Sequence, residues 1–202
     1  MLHLSAMPKN SSLLLCTGNP GKIAELRALL PAGMELLSLK DRNLPSDLPE
    51  TGDTLKENAL QKAQYAYERT GLPCLADDSG LEVDALGGAP GVRSARFAGA
   101  EKNDRANMAL LLKELGDSSE RSARFRTVLA YVDALETRYF EGVVEGTIAM
   151  QGKGDNGFGY DPIFIPDGEL RSFAEMGSAE KNAMSHRAKA MQVFVHYLLN
   201  RN

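Results

Sequence analysis

The pattern of apolar and polar residues predicts strands interleaved with helices along most of the chain. Leu13–Thr17 is a short apolar run that Gly18–Gly21 closes, and the apolar residues of Lys22–Leu30 then recur at helical spacing. Such an order is typical of a buried strand, a turn and an amphipathic helix. Thr54 and Glu57 have the spacing of a helix capping box, so a second helix is predicted to begin there.

Further elements follow the same pattern to the end of the chain. Strands are predicted at 34–39, 73–76, 81–85, 124–135, 138–150 and 162–165, and helices at 54–70, 103–115 and 185–199. The two long strands, 124–135 and 138–150, are predicted to form a hairpin. Strands interleaved with helices, together with this hairpin, predict an α/β fold with a mixed sheet.

Length and composition define the class of protein. The chain has 202 residues, of which 43% are hydrophobic and 25% are charged, as is typical of one globular domain. Residues 1–10 show no pattern and are predicted to be a disordered or variable tail, so residues 11–202 form the predicted domain. The net charge of −4 argues against nucleic acid as a partner. Because no apolar run is long enough to cross a bilayer, no membrane partner is expected, and a cytoplasmic location is predicted.

The turn between the first strand and the first helix is a candidate phosphate site. It comprises Thr17, Gly18, Asn19, Pro20, Gly21 and Lys22. Free backbone N–H groups at the start of a helix attract anions, and Lys22 would add a positive charge. The turn lacks the longer glycine cradle of a P-loop. A plain β–α turn is the alternative interpretation.

Acidic residues in separate segments form a candidate metal site. Glu50 lies in a loop, Glu57 and Asn58 lie in the predicted second helix, and Asp77 and Asp78 follow a predicted strand. Carboxylates that meet at one pocket hold hard cations such as Mg²⁺, and α/β enzymes place catalytic groups at strand ends. Alternatively, Glu57 only completes the capping box, and the two aspartates form a solvated turn.

Two further motifs would complete a nucleotide site. Residues 181–189 include Lys181, His186 and Arg187 and contain no acid. Because His186 and Arg187 fall in the first turn of a predicted helix, where the dipole disfavours cations, they need a compensating anion. Glycines on both sides of Phe158 free the backbone to present its ring to a base. The alternative interpretation of residues 181–189 is a surface helix that carries basic residues. The alternative for Phe158 is a ring packed in the core.

With these motifs in order, the chain resembles the inosine/xanthosine triphosphate pyrophosphatases, the Ham1-like family. The resemblance spans residues 13–199. It rests on Thr17–Lys22, Glu50–Gly52, Glu57–Ala59, Ala76–Leu81, Pro90–Gly91, Ser94–Arg96, Gly157–Pro162 and Ser185–Arg187. It implies a homodimer with a long curved mixed sheet and flanking helices, which form two lobes around a central cleft. It also implies Mg²⁺-dependent cleavage of a triphosphate to a monophosphate and pyrophosphate.

The resemblance assigns a role to each matching residue. Asp78 would accept a proton and bind Mg²⁺ together with Glu50, and the Thr17–Lys22 turn would hold the triphosphate. The other substrate-binding residues would be Ser79, Phe158, Gly159, Tyr160, Asp161, Lys181, His186 and Arg187. Arg93 and Tyr160 differ from the residues common in the family, which leaves the details of base contact and dimer packing open.

The resemblance implies the substrates ITP, dITP and XTP, and hydrogen-bond polarity would explain why adenine is rejected, although guanine also carries a 6-oxo group. The donors of Arg187 and a protonated His186 would match a 6-oxo purine and oppose the 6-amino group of adenine. Two alternatives stay open, a nucleoside triphosphate diphosphatase of broader specificity and a nucleotide-binding regulator without turnover. Asp77, Asp78 and Glu50 argue against the regulator, because a site that only binds an anion favours the absence of carboxylates.

Overall fold

The fold, obtained as a computed structural model, is described for residues 12–30 and 33–201. The strands are β1 (Ser12–Leu15), β2 (Glu35–Ser38), β3 (Cys74–Val83), β4 (Ser122–Val132), β5 (Thr137–Ile148) and β6 (Phe164–Pro166). The helices are α1 (Pro20–Leu29), α2 (Leu55–Thr70), α3 (Asp104–Leu115), α4 (Ser178–Met184) and α5 (His186–Asn200). The tail predicted at residues 1–10 lies outside the described residues.

The strands form one mixed sheet in the order β2-β1-β3-β4-β5-β6. Strand β1 pairs in parallel with β2 and β3, and β5 pairs antiparallel with β6. The predicted α/β fold with a mixed sheet is therefore confirmed. Within the described residues, no helix is both long and apolar enough to cross a membrane.

The chain divides into two compact units, each with its own core. Of the described residues, the first unit takes those up to 78, 128–142 and those from 187 onward, and the second takes 79–127 and 143–186. The buried side chains of the first core include Leu13, Leu15, Leu26, Leu75, Leu129, Phe140, Met191 and Phe194. Those of the second include Leu81, Val83, Leu111, Phe125, Val144, Tyr160, Phe164 and Phe173. Each fully buried side chain of this size contributes roughly 1.5–3 kcal/mol of burial free energy.

Helix α2 begins and ends where its sequence predicts. The Thr54 hydroxyl accepts the Glu57 N–H at 3.1 Å, and the Glu57 carboxylate accepts the Thr54 N–H at 3.0 Å. Such a cap stabilises a helix by about 1 kcal/mol. Gly71 ends the helix with φ 63°, a left-handed conformation that glycine adopts without strain. The alanines 59, 63 and 66 are buried, which fixes the face that α2 turns toward the core.

Strand β3 differs from the prediction and matters for function. The expected strand ended before Asp77, but β3 runs unbroken from Cys74 to Val83. Its position between β1 and β4 provides backbone partners on both sides. Asp77 and Asp78 are buried within it, so the solvated-turn interpretation is wrong. The short helix α4 was also missed, because the sequence around it carries no long apolar stripe.

Candidate active site

The turn after β1 is organised by Asn19. The Asn19 side-chain oxygen accepts the N–H groups of Gly21 at 2.9 Å and Lys22 at 3.2 Å, which caps α1. The prediction of free amides is therefore wrong for these two groups, because an asparagine at this position satisfies them itself. Gly18 allows close approach of the chain, since a Cβ there would lie 2.3 Å from the Ser46 carbonyl oxygen. The positive charge of the Thr17–Lys22 turn comes from the Lys22 ammonium.

Asp77 is a buried anion that holds cations. Lys22 Nζ lies 2.8 Å from Asp77 Oδ2, and Arg187 Nε lies 3.6 Å from the same oxygen. Burial opposes ionisation of Asp77, but the charges of Lys22, Arg187 and Lys62 outweigh burial and lower the pKa of Asp77. Asp77 is thus ionised at neutral pH and fixes these side chains in place.

Lys62 is a site residue that the sequence interpretation missed. Its ammonium donates to Glu50 Oε1 at 2.6 Å, to the Asp77 carbonyl oxygen at 2.6 Å and to Asp78 Oδ1 at 3.4 Å. Burial alone would lower the pKa of Lys62, but Asp78, Asp77 and Glu50 outweigh it and raise the pKa. The sequence did hold one signal that Lys62 is buried, because Lys62 lies three residues after the buried Ala59 and so on the same face of α2.

The pKa of Asp78 is shifted in the opposite direction to that of Asp77. The Asp78 side chain is buried, and its Oδ2 has no hydrogen-bond partner among the described residues. Burial raises the pKa of Asp78, and the charges of Glu50 and Asp77 act in the same direction, against the opposing effect of Lys62 and Lys22. A buried carboxylate oxygen with no donor is suited to take a proton or to bind a cation.

The loop that carries Glu50 is held by one face of α2. Asn58 Oδ1 accepts the Gly52 N–H at 2.7 Å, and Gln61 Oε1 accepts the Thr51 N–H at 2.9 Å. Residues 58, 61 and 62 share this face because they are three and four positions apart. Glu57 takes no part in the acidic cluster, since its carboxylate accepts the Thr54 N–H. The capping interpretation of Glu57 is therefore confirmed.

In the second unit, Asp161 organises the predicted aromatic platform. Asp161 Oδ2 accepts the Phe158 N–H at 2.8 Å and the Lys181 ammonium at 2.8 Å. The same ammonium lies 4.8 Å from the centre of the Phe158 ring. Gly157 must be glycine, because its φ is 78° and a Cβ would lie 2.1 Å from Asp161 Oδ2. Phe158, which is partly exposed, is the ring that this loop presents.

Tyr160 and Ser79 have structural partners within the second unit. Tyr160 is buried in the core and donates its hydroxyl proton to the Ser94 carbonyl oxygen at 2.9 Å. Tyr160 therefore packs in the core of the second unit. Ser79 Oγ and Thr127 Oγ1 are 2.7 Å apart, so they share a hydrogen bond directly after Asp78 in the chain.

The predicted basic segment is buried, so the surface-helix interpretation is wrong. Lys181, His186 and Arg187 are only 6%, 4% and 2% exposed. The anion that Arg187 needs at the start of α5 is Asp77. His186 stacks on Phe125, with the ring centres 4.8 Å apart and the planes 12° from parallel. The chain passes from one unit to the other between Asp78 and Ser79 and again between His186 and Arg187.

The described residues contain no group of three or more His, Cys, Asp or Glu side chains placed to hold a metal ion. At the acidic cluster, Glu50 and Asp78 could offer a cation their carboxylate oxygens, and water or substrate could supply further ligands. Mg²⁺ commonly binds proteins in that way, through one or two carboxylates. The donor set therefore fits Mg²⁺ better than a metal that needs a full protein cage.

Comparison with known proteins gives concordant matches over nearly the whole chain. Residues 13–197 match the Ham1 family. A dITP/XTP pyrophosphatase of Porphyromonas gingivalis is 50% identical over 188 residues, 93% of this chain and 97% of that protein. One from Bacillus licheniformis is 48% identical over 184 residues, 89% and 94% of the two chains.

Solved structures agree with these matches. The Ham1 protein of Staphylococcus aureus has a TM-score of 0.88 at 36% identity and covers 95% of this chain and 100% of its own. The dITP/XTP pyrophosphatase of Mycobacterium abscessus has a TM-score of 0.76 at 46% identity, with 91% and 98% coverage. The resemblance inferred from the motifs is confirmed, and this chain belongs to the Ham1 family.

Proposed function

We propose that this protein hydrolyses the non-standard purine nucleoside triphosphates ITP, dITP and XTP to the monophosphate and pyrophosphate. The relatives named dITP/XTP pyrophosphatase support this substrate class. The observation that carries the proposal is the buried Oδ2 of Asp78, which has no donor among the described residues and lies on a carboxylate that Lys62 contacts. A proton acceptor beside fixed cations is the arrangement that hydrolysis of a phosphoanhydride needs.

The balance of charge in the first unit supports a metal cofactor. The cations of Lys22, Lys62 and Arg187 each already contact a carboxylate of Glu50, Asp77 or Asp78. A triphosphate adds several negative charges that this balanced cluster does not neutralise. Glu50 and Asp78 would hold Mg²⁺, which prefers oxygen ligands. When bound, Mg²⁺ supplies neutralisation of the phosphate oxygens and polarisation of the phosphoryl group.

The side chains themselves perform the proton transfer and stabilise the charge. Asp78 Oδ2 accepts a proton from the water that attacks the α-phosphorus, as the α–β bond breaks and pyrophosphate leaves. The ammonium groups of Lys22 and Lys62 stabilise the charge that develops on the phosphate oxygens. Asp77 keeps Lys22 in place during this step, because the two form an ion pair at 2.8 Å.

The second unit supplies recognition of the base. The Phe158 ring stacks on the purine, and the Lys181 ammonium held by Asp161 fixes the position of that ring. We assign the selection of the 6-oxo group to His186, because Arg187 lies against Asp77. A donor at His186 would leave the 6-amino group of adenine opposite another donor, which is a costly mismatch in a buried site.

The test is an assay with ITP, dITP, XTP, dGTP, ATP and dTTP, with Mg²⁺ and after chelation, that measures pyrophosphate and orthophosphate separately. We expect pyrophosphate, a preference for ITP, dITP and XTP over dGTP, ATP and dTTP, and no turnover without the metal. Asp78→Asn should lower kcat by about 10²–10⁴-fold, the usual contribution of a general base. The exposed Asp117→Asn is the matched control and should keep full activity.

Other outcomes would overturn parts of the proposal. Orthophosphate as the first product, or full activity in Asp78→Asn, would contradict the mechanism. Preference for dTTP would favour the diphosphatase of broader specificity, and binding of ITP without turnover would favour a regulator.

We also propose that the protein is a cytoplasmic homodimer, where the dimer rests on the resemblance to the Ham1 family. Light scattering at twice the chain mass of 21.9 kDa would support the dimer, and a single chain mass would contradict it.

A further inference from the structure

The first residue of α3 and a residue upstream of this helix each contact the Phe158 loop, although no site role was assigned to either residue. Asp104, the first residue of α3, accepts the Gly159 N–H on Oδ2 at 2.7 Å. The carbonyl oxygen of Ser94 accepts the Tyr160 hydroxyl at 2.9 Å. Asp104 and Gly159 are 55 residues apart in sequence, so the contact is a tertiary one within the second unit.

The start of α3 does not need the Asp104 side chain as its cap. Asn103 is the N-cap residue, and its side-chain oxygen accepts the Ala106 N–H at 3.0 Å. The Asp104 side chain instead lies on the Phe158 loop. A charged acceptor makes a stronger hydrogen bond to an N–H group than a neutral one does. The contact therefore acts on the loop rather than on the helix.

The two peptide groups that flank Phe158 are each held by a carboxylate. Asp161 accepts the Phe158 N–H on one side, and Asp104 accepts the Gly159 N–H on the other. The Gly159 N–H belongs to the peptide group that follows Phe158, so its bond restrains ψ of Phe158 while the Asp161 bond restrains φ. Gly157 and Gly159 have φ values of 78° and 64° and would otherwise allow wide movement of this backbone.

We infer that Asp104 is a positioning residue that fixes the direction of the Phe158 ring for stacking on the purine. This inference rests on the proposed function, because it takes Phe158 as the base platform. Asp104 is on the surface, and its hydrogen bond to the loop is made with the Gly159 backbone rather than with a group that would touch the substrate. The inference therefore predicts an effect on substrate binding and none on the chemical step, which depends on Asp78.

The kinetic test compares Asp104→Ala with Asp104→Asn. The alanine variant lacks the acceptor, and KM for dITP should rise about five- to tenfold, equivalent to the loss of one hydrogen bond. Its kcat should stay within about twofold of the wild type, since a residue that only aids binding shifts KM. The asparagine variant keeps an acceptor oxygen without the charge and should restore KM. Glu101→Ala, which removes an exposed acid just before α3, is the matched control.

Hydrogen exchange gives a readout that does not require activity. The amide of Gly159 should exchange faster in Asp104→Ala than in the wild type, while the core amides of α3 keep their protection. Wild-type KM in Asp104→Ala would overturn the inference, as would a fall in kcat alone or an equal defect in Asp104→Asn. If the wild-type enzyme does not cleave dITP, the proposed function fails, and unchanged exchange at Gly159 would show separately that the contact is not a restraint.

Discussion

Replacement of Lys62 by methionine removes the ammonium that joins the Glu50 loop to β3. Its Nζ lies 2.6 Å from Glu50 Oε1, 2.6 Å from the Asp77 carbonyl oxygen and 3.4 Å from Asp78 Oδ1. Methionine keeps most of the aliphatic stem, so the packing of α2 changes little and the main loss is the charge. The carboxylates then lose a buried cation that no other side chain replaces at the same position.

The size of the effect follows from burial. Removing one partner of a buried ion pair costs about 3–5 kcal/mol. The Glu50 side chain is 24% exposed and can regain water, whereas that of Asp78 is 10% exposed. We therefore expect Lys62→Met to lower the free energy of unfolding by about 3 kcal/mol, the lower end of this range. For a chain of this length, that loss lowers the melting temperature by about 6–12 °C.

Denaturant titration at neutral pH measures the free energy of unfolding, and the same samples give kcat with dITP. Lys56→Met is the control on the same helix, because Lys56 is exposed and its Nζ lies 4.3 Å from the centre of the Tyr139 ring. That contact contributes at most about 1 kcal/mol. If Lys62→Met were as stable as Lys56→Met, the assignment of Lys62 as a buried charge that links the two segments would be refuted.

Two further variants test other parts of the structure. Burial opposes ionisation of Asp133, but Arg201 and nearby backbone N–H groups outweigh it and lower the pKa of Asp133 to about 2. Because this pKa is lower than in the unfolded chain, the contribution of roughly 2 kcal/mol is present above about pH 4 and is lost toward about pH 2. In Asp133→Asn, the free energy of unfolding measured with urea should therefore depend less on pH in that window. If this dependence matched that of the wild type, the ion pair of Asp133 with Arg201 would be contradicted. Phe158→Ala should raise KM for dITP about tenfold, given that a stacked base is worth about 1–3 kcal/mol, whereas Phe158→Tyr should keep KM near the wild-type value. Equal KM values for the two variants would show that the ring does not stack.

Local signals in the sequence predicted the elements that local interactions determine. Helix α2 was predictable because its capping box, its alanines and Gly71 all act within a few residues of each other. The hairpin of β4 and β5 was predictable for the same reason, as Asp133 Oδ1 accepts the N–H groups of Leu135 and Glu136 in the connecting turn. In such segments local preference and the final structure agree.

Long-range contacts determined the features that the sequence did not predict. A lysine in a helix is normally solvated, so the helical spacing of Lys62 from Ala59 was a weak signal, and the placement of α2 beside β3 is what buries Lys62. Tyr160 was assigned to the base platform by its motif, yet its partner is the carbonyl oxygen of Ser94, 66 residues away. The motif does not show that the ring of Tyr160 packs in the core while the ring of Phe158 is partly exposed.

The correction to β3 explains how two adjacent aspartates acquire different roles. Successive side chains of a strand point to opposite faces of the sheet. In accordance with this alternation, the Asp77 carboxylate contacts Lys22 and Arg187, whereas the Asp78 carboxylate contacts Lys62. A turn at this point would allow both carboxylates to share one environment, where like charges oppose each other's ionisation. Because the strand continues, the pKa of Asp77 is lowered by its cations while that of Asp78 is raised by burial. Asp77 can therefore hold Lys22 and Arg187, while Asp78 keeps an oxygen available for the proton that the proposed function requires it to accept.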